Sequence, residues 1–112
     1  MLSPSGWHVA VAPVDLRCGA DRLLGQVAAL GRDVRDGGAY LFRNRAGTRM
    51  KVVCVDGQGV WLCVRRLHQG SFRWPRAGDA VWTLSAEQFH WLINGVDWRR
   101  LSSGPTALPA LV

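Results

Sequence analysis

Lysine is nearly missing from this 112-residue sequence: thirteen of its fourteen basic side chains are arginine, set against only eight acids, for a net charge of +6 and an isoelectric point near 10.6. That balance favours nucleic acid or another polyanion as partner over an acidic-substrate enzyme, and the planar guanidinium suits phosphate better than an ammonium does. Cysteine is scarce as well. Cys18, Cys54 and Cys63 are odd in number and lack CxxC spacing, which argues against a disulfide framework and points to a reducing compartment. No apolar stretch approaches the roughly 18 residues of a membrane span, and no basic segment precedes a long apolar one at the N-terminus. A soluble cytoplasmic protein without a membrane partner is expected. Neither GxGxxG nor GxxxxGK[ST] occurs, and there is no internal repeat.

Catalytic and metal chemistry finds little footing. His8, Cys18, Cys54, Cys63, His68 and His90 form no pair at structural-zinc intervals, and no local Cys–His or Ser–His signature marks a nucleophile. Two-metal nucleases need clustered carboxylates, and Asp15, Asp56, Glu87 and Asp97 are the candidates. Asp56 is explained by its turn and Glu87 by a helix N-terminus. No catalytic residue, metal or cofactor is therefore assigned. A small nuclease using Asp15 and Asp56 ranks third among the functional readings.

The sequence is rich in turns that separate apolar, β-branched runs. Asn44 to Gly47, Asp56-Gly57-Gln58-Gly59 and His68-Gln69-Gly70 delimit strands expected at about 40–43, 49–55, 60–67 and 71–74. With Phe42 opposite Met50, Cys54 opposite Leu62 and Val64 opposite Trp74, one face carries Tyr40, Phe42, Met50, Val52, Cys54, Leu62, Val64, Phe72 and Trp74. The other face then gathers Arg43, Arg49, Lys51, Arg65 and Arg73. Like charges across a ladder destabilise it, so such a stripe suits an anionic ligand; the alternative is arginines splayed into water. Trp61, on the basic face in this register, either stacks on a base or packs against protein.

Residues 7–12 alternate as a short strand or form a loop before Pro13. Ala20, Leu23, Leu24, Val27 and Leu30 recur at helical spacing, and Gly31 follows as a stop. A second helix opens with a Ser85/Gln88 capping box and ends at Gly95, its core face carrying Phe89, Leu92, Ile93 and Val96. Trp91, off that face, is a candidate anchor for a protein partner. The expected architecture is one α+β domain over residues 1–101: a small antiparallel sheet of four to five strands with two helices packed on one face. Residues 102–112, rich in Ser, Gly and Pro, are expected to form a flexible tail.

Several segments resemble one family over nearly the whole chain. Asp15-Leu16-Arg17 with Gly19, Phe42-Arg43-Asn44-Arg45 with Lys51, Asp56-Gly57 with Gly59, and Arg65-Arg66-Leu67 through Gly70, Phe72, Trp74 and Pro75 resemble motifs of the TnpB accessory proteins of insertion-sequence 66 family bacterial transposons. Cys54 and Val55 stand where that family often has two Trp, and His68 where it has Glu. The resemblance implies a non-catalytic accessory role in transposition beside a separate transposase. Its implied partners are transposon-end DNA, the transposase or both, with self-association left open. Arg43, Arg45, Arg49, Lys51, Arg65, Arg66 and Arg73 are then the expected phosphate contacts and Trp61 a stacking residue, while Asp15, Arg17 and Trp91 are expected to meet a partner. The first rival is a pure interaction module for the transposase that binds no DNA.

Overall fold

Residues 39–43 of the chain are buried at every position, so the strand they form lies in the middle of a sheet covered on both sides. The computed structural model describes residues 2–98. Its elements are β1 (Trp7–Ala10), α1 (Ala20–Ala29), a 3-10 turn at Val34–Asp36, β2 (Ala39–Arg43), β3 (Arg49–Val55), β4 (Val60–Arg66), β5 (Val81–Leu84) and α2 (Ala86–Ile93). The five strands make one sheet in the order β4-β3-β2-β1-β5. Every pairing is antiparallel except β1 with β2, whose crossover carries α1.

The α+β class and the mostly antiparallel sheet agree with expectation; the placement of the helices does not. Val9, Leu41, Val52, Phe72, Trp74 and Leu92 build one core beneath α2. Tyr40, Phe42, Val53, Leu23 and Val27 build a second beneath α1. The helices thus cover opposite faces. α2 begins at the expected capping box, Ser85 Oγ accepting from the Gln88 N–H at 3.1 Å while the Gln88 side chain accepts from the Ser85 N–H at 2.9 Å. α1 has no side-chain cap, so its stability rests on burying Leu23 and Val27.

Both hairpin registers are shifted by one residue from the expected ones. Phe42 lies across from Lys51 and Arg43 from Met50, while Cys54 faces Trp61 and Val53 faces Leu62. Side chains in the turns set this. Asn44 Oδ1 accepts from the Thr48 and Arg49 N–H groups at 3.0 and 3.1 Å, closing a longer β2–β3 loop. Asp56 Oδ1 does the same for Gln58 and Gly59. A one-residue shift exchanges the faces of one strand relative to its neighbour. Residues 71–74, expected as a strand, run outside the sheet, yet Phe72 and Trp74 are still buried in the α2-side core. The Trp74 indole donates to the Ala10 carbonyl at 2.7 Å, and the Trp98 indole to the Arg73 carbonyl at 2.6 Å. The fifth strand is instead Val81–Leu84, paired with β1. The expected domain end at 101 and the tail at 102–112 lie outside the described residues.

Candidate nucleic-acid interface

Arg43 organises the corner where the site forms. Only 7% exposed, it donates to the Val11 carbonyl from Nε and Nη2 at 3.2 and 3.1 Å, and to the Arg45 carbonyl from Nη1 at 3.3 Å. Its own carbonyl accepts from the Val14 N–H at 2.9 Å. Desolvation, then the neighbouring Arg76 and Arg45 charges, hold its pKa below the usual arginine value. Arg43 therefore braces the chain leaving β1 against the β2–β3 turn; it lies on the face opposite Tyr40 and Phe42, as expected, but is buried there and not open to solvent.

Between the braced segments lies an open cleft of about 380 Å³, lined by Val14, Asp15, Leu16, Arg17, Arg45 and Arg49 among others. Asp15 and Arg17 form a two-pronged ion pair, Nη2 to Oδ2 at 2.8 Å and Nε to Oδ1 at 3.0 Å, and Oδ1 also accepts the Arg17 N–H. These bonds hold the Asp15 carboxyl far below the usual carboxylate range, with the Arg17 and Arg22 charges adding to them. The pair is exposed, so its contribution to stability is small. Arg45 and Arg49 are exposed, and their guanidinium groups have no hydrogen-bond or ion-pair partner among the described residues. The cleft lining thus carries three arginines and one carboxylate, which is paired with Arg17. Arg66 lies directly across the ladder from Arg49 and extends the cluster along the sheet.

The other expected ligands are dispersed by the register shift. Lys51 Nζ donates to the Cys18 carbonyl at 2.9 Å, tying β3 to the loop before α1. Arg65 lies on the α2 side, donating to the Ile93 carbonyl at 2.6 Å and to Asn94 Oδ1 at 3.2 Å, which places a cation at the C-terminus of α2. Arg73 is exposed but sits beyond the sheet. The Trp61 indole donates to Asp56 Oδ2 at 2.9 Å. Its partner Asp56 is fully engaged, and backbone donation from Gln58, then Trp61 and Gly59, lowers its pKa. Trp91 is 7% exposed and belongs to the α2-side core, so the partner anchor expected there has no free ring to offer. An eight-residue helix laid flat on a sheet buries adjacent positions, and Trp91 goes in beside Leu92. The single basic stripe does not form. Arg22 and Arg76 join the cationic surroundings of the cleft only through tertiary proximity, and nothing in their local sequence marks them.

Cys54 and Cys63, expected on opposite faces, share one, because Cys63 faces Val52 and Cys54 faces Trp61. Burial raises the Cys54 thiol pKa, and all three thiols are free. Among the described residues no group of three or more His, Cys, Asp or Glu side chains is placed to hold a metal. No helix among them is long and apolar enough to cross a membrane.

Fold and cleft together define a small, cation-rich α+β domain with an arginine-lined cleft beside the β2–β3 turn. Residues 5–103 match the family described as IS66 Orf2 like protein, and the chain belongs to it. The family is that of accessory proteins of IS66-type insertion sequences, which gives the chain an accessory role in transposition. Two relatives from Sinorhizobium fredii (strain NBRC 101917 / NGR234) are similar over most of their length. Uncharacterized protein y4hO is 39% identical over 101 residues, covering 86% of this chain and 88% of that protein. Uncharacterized protein y4jC is 34% identical over 116 residues, covering 100% of this chain and 99% of its own length. No solved structure matches.

Proposed function

We propose that the protein serves transposition by binding DNA of its element, without catalysing a step itself, through the cleft between the Asp15–Arg17 loop and the Asn44–Arg49 turn. The observation that carries this reading is the pair of guanidinium groups of Arg45 and Arg49, which have no partner among the described residues and are exposed on a turn that buried Arg43 holds in place. Cations that stabilise nothing in the fold are free to neutralise phosphates and release counterions. Arg66, across the ladder from Arg49, extends the contact. Lys51 and Arg65, committed to backbone carbonyls, add only to the surrounding positive field. Contacts of this kind fix position on the duplex and do not read bases.

One observation favours the transposase as a second ligand of the same corner. Arg17 already holds Asp15, and a self-satisfied ion pair is a poorer phosphate ligand than it is a rim contact for a protein. Fluorescence anisotropy with a labelled transposon-end duplex and an unrelated duplex, at low salt, separates the two. Binding to both duplexes supports the DNA reading. Absence of any signal at low salt, with retention on immobilised transposase, leaves the interaction module in its place.

A further inference from the structure

Among the described residues, the large apolar side chains left in solvent all belong to one strand: Val60, Trp61, Leu62 and Val64 of β4 are 48%, 39%, 39% and 62% exposed. β4 is also one of the two edge strands of the sheet, β5 being the other. Its seven residues pair with β3 without a bulge, from Arg49 opposite Arg66 to Val55 opposite Val60, and contain no proline. Soluble proteins guard such edges with charge, bulges or proline, yet here the only charges are Arg65 and Arg66 at one end.

The direction of the free backbone groups follows from the two ends of the ladder. The Asp56 N–H bonds the Gly59 carbonyl at 3.0 Å, and the Leu67 N–H bonds the Thr48 carbonyl at 3.1 Å. Alternation between these points turns Trp61, Cys63 and Arg65 toward β3, and directs the N–H and C=O groups of Val60, Leu62, Val64 and Arg66 outward. We propose that this edge pairs antiparallel with β4 of a second copy, about a two-fold axis at Cys63. Charge selects the arrangement. A parallel alignment would set Arg65 and Arg66 beside the same residues of the other copy, whereas the antiparallel one sends them to opposite ends. With Cys63 at the axis all seven residues overlap, and the outward-directed residues of each strand face those of the other. Leu62 meets the partner's Val64 on the α1 face. Trp61, whose indole is bound to Asp56, meets the partner's Arg65 on the α2 face, which sets a cation beside an aromatic ring and a carboxylate. Cys63 lies opposite the partner's Cys63 at a non-hydrogen-bonded position. Cα atoms are about 4.5 Å apart there, within the disulfide range of roughly 4.4–6.8 Å.

The test is sedimentation velocity of the full chain under reducing conditions across micromolar concentrations, with Val64→Lys and Leu62→Lys as separate variants and circular dichroism to show that each is folded. A wild-type dimer, weakened about tenfold or more in both variants, is the expected result. Mild oxidation should link wild-type chains through Cys63, an adduct that Cys63→Ser abolishes and that Cys18→Ser and Cys54→Ser retain. A wild-type monomer throughout the range overturns the proposal and leaves the edge to a strand of another protein. A dimer indifferent to both lysine variants, or cross-linked without Cys63, overturns it equally.

Discussion

Replacing Arg43 with Met separates a structural arginine from a ligand. The long apolar stem is kept while the guanidinium, with its two bonds to the Val11 carbonyl and one to the Arg45 carbonyl, is removed. A hydrogen bond from a charged group contributes about 1.5–3 kcal/mol. The distances of 3.1–3.3 Å place these bonds at the weak end of that range. Val11 is only half-buried and Arg45 exposed, so water recovers part of what their carbonyls lose. Release of a desolvated charge offsets some of the remainder. The net cost is about 2 kcal/mol, which for a domain of this size lowers the melting temperature by about 8–16 °C. Arg45→Met and Arg49→Met, which remove no side-chain hydrogen bond or ion pair among the described residues, should stay within about 0.5 kcal/mol of wild type. Circular dichroism melts and urea titrations read all three. If Arg43→Met melts with wild type and instead weakens DNA binding as much as Arg45→Met does, Arg43 is a phosphate ligand and not a structural brace.

Ser85→Ala removes one half of the capping box on α2 and should cost about 1 kcal/mol, measured as a lower urea midpoint with an unchanged slope. His8 gives a pH signature. Its Nδ1 accepts from Arg32 Nη2 at 3.2 Å and lies 2.9 Å from Thr83 Oγ1, and burial, then Arg32, lower its pKa, with Asp36 opposing. Above the ordinary value of 6.5 the ring is neutral in both states. As pH falls below that value the unfolded chain takes up the proton first, so stability should decline through the folded-state value. Melts recorded between about pH 7 and pH 5 should show this loss, reduced in His8→Gln; a melting temperature that rises on acidification would contradict it.

The turns, both helices and the span of β2 to β4 were legible because each has a local cause: Asn44 and Asp56 accept from their own turn backbone, and Ser85 and Gln88 cap each other. Register was not. It depends on whether a turn side chain adds a residue to the loop, and the apolar pattern tolerates either answer. The two-sided covering of the sheet had a signal in Tyr40-Leu41-Phe42, an apolar run without alternation, which fits a strand buried on both faces. At the candidate site, the exposure of Arg45 and Arg49 was legible because arginines at a turn have few partners within reach. The partners of Arg43 and Arg65 were not, because their carbonyl acceptors, Val11 and Ile93, are 32 and 28 residues away in sequence. β5, four residues long, owes its existence to pairing with β1 more than to its own pattern.

If the cleft is an interface for DNA phosphates, the salt dependence of duplex affinity must differ between wild type and the Arg45→Gln/Arg49→Gln double variant. Each lost phosphate contact should reduce the slope of log affinity against log salt by about 0.9, so the double variant should fall by about 1.8 while its fold is unchanged. An identical slope in the two proteins would contradict the account.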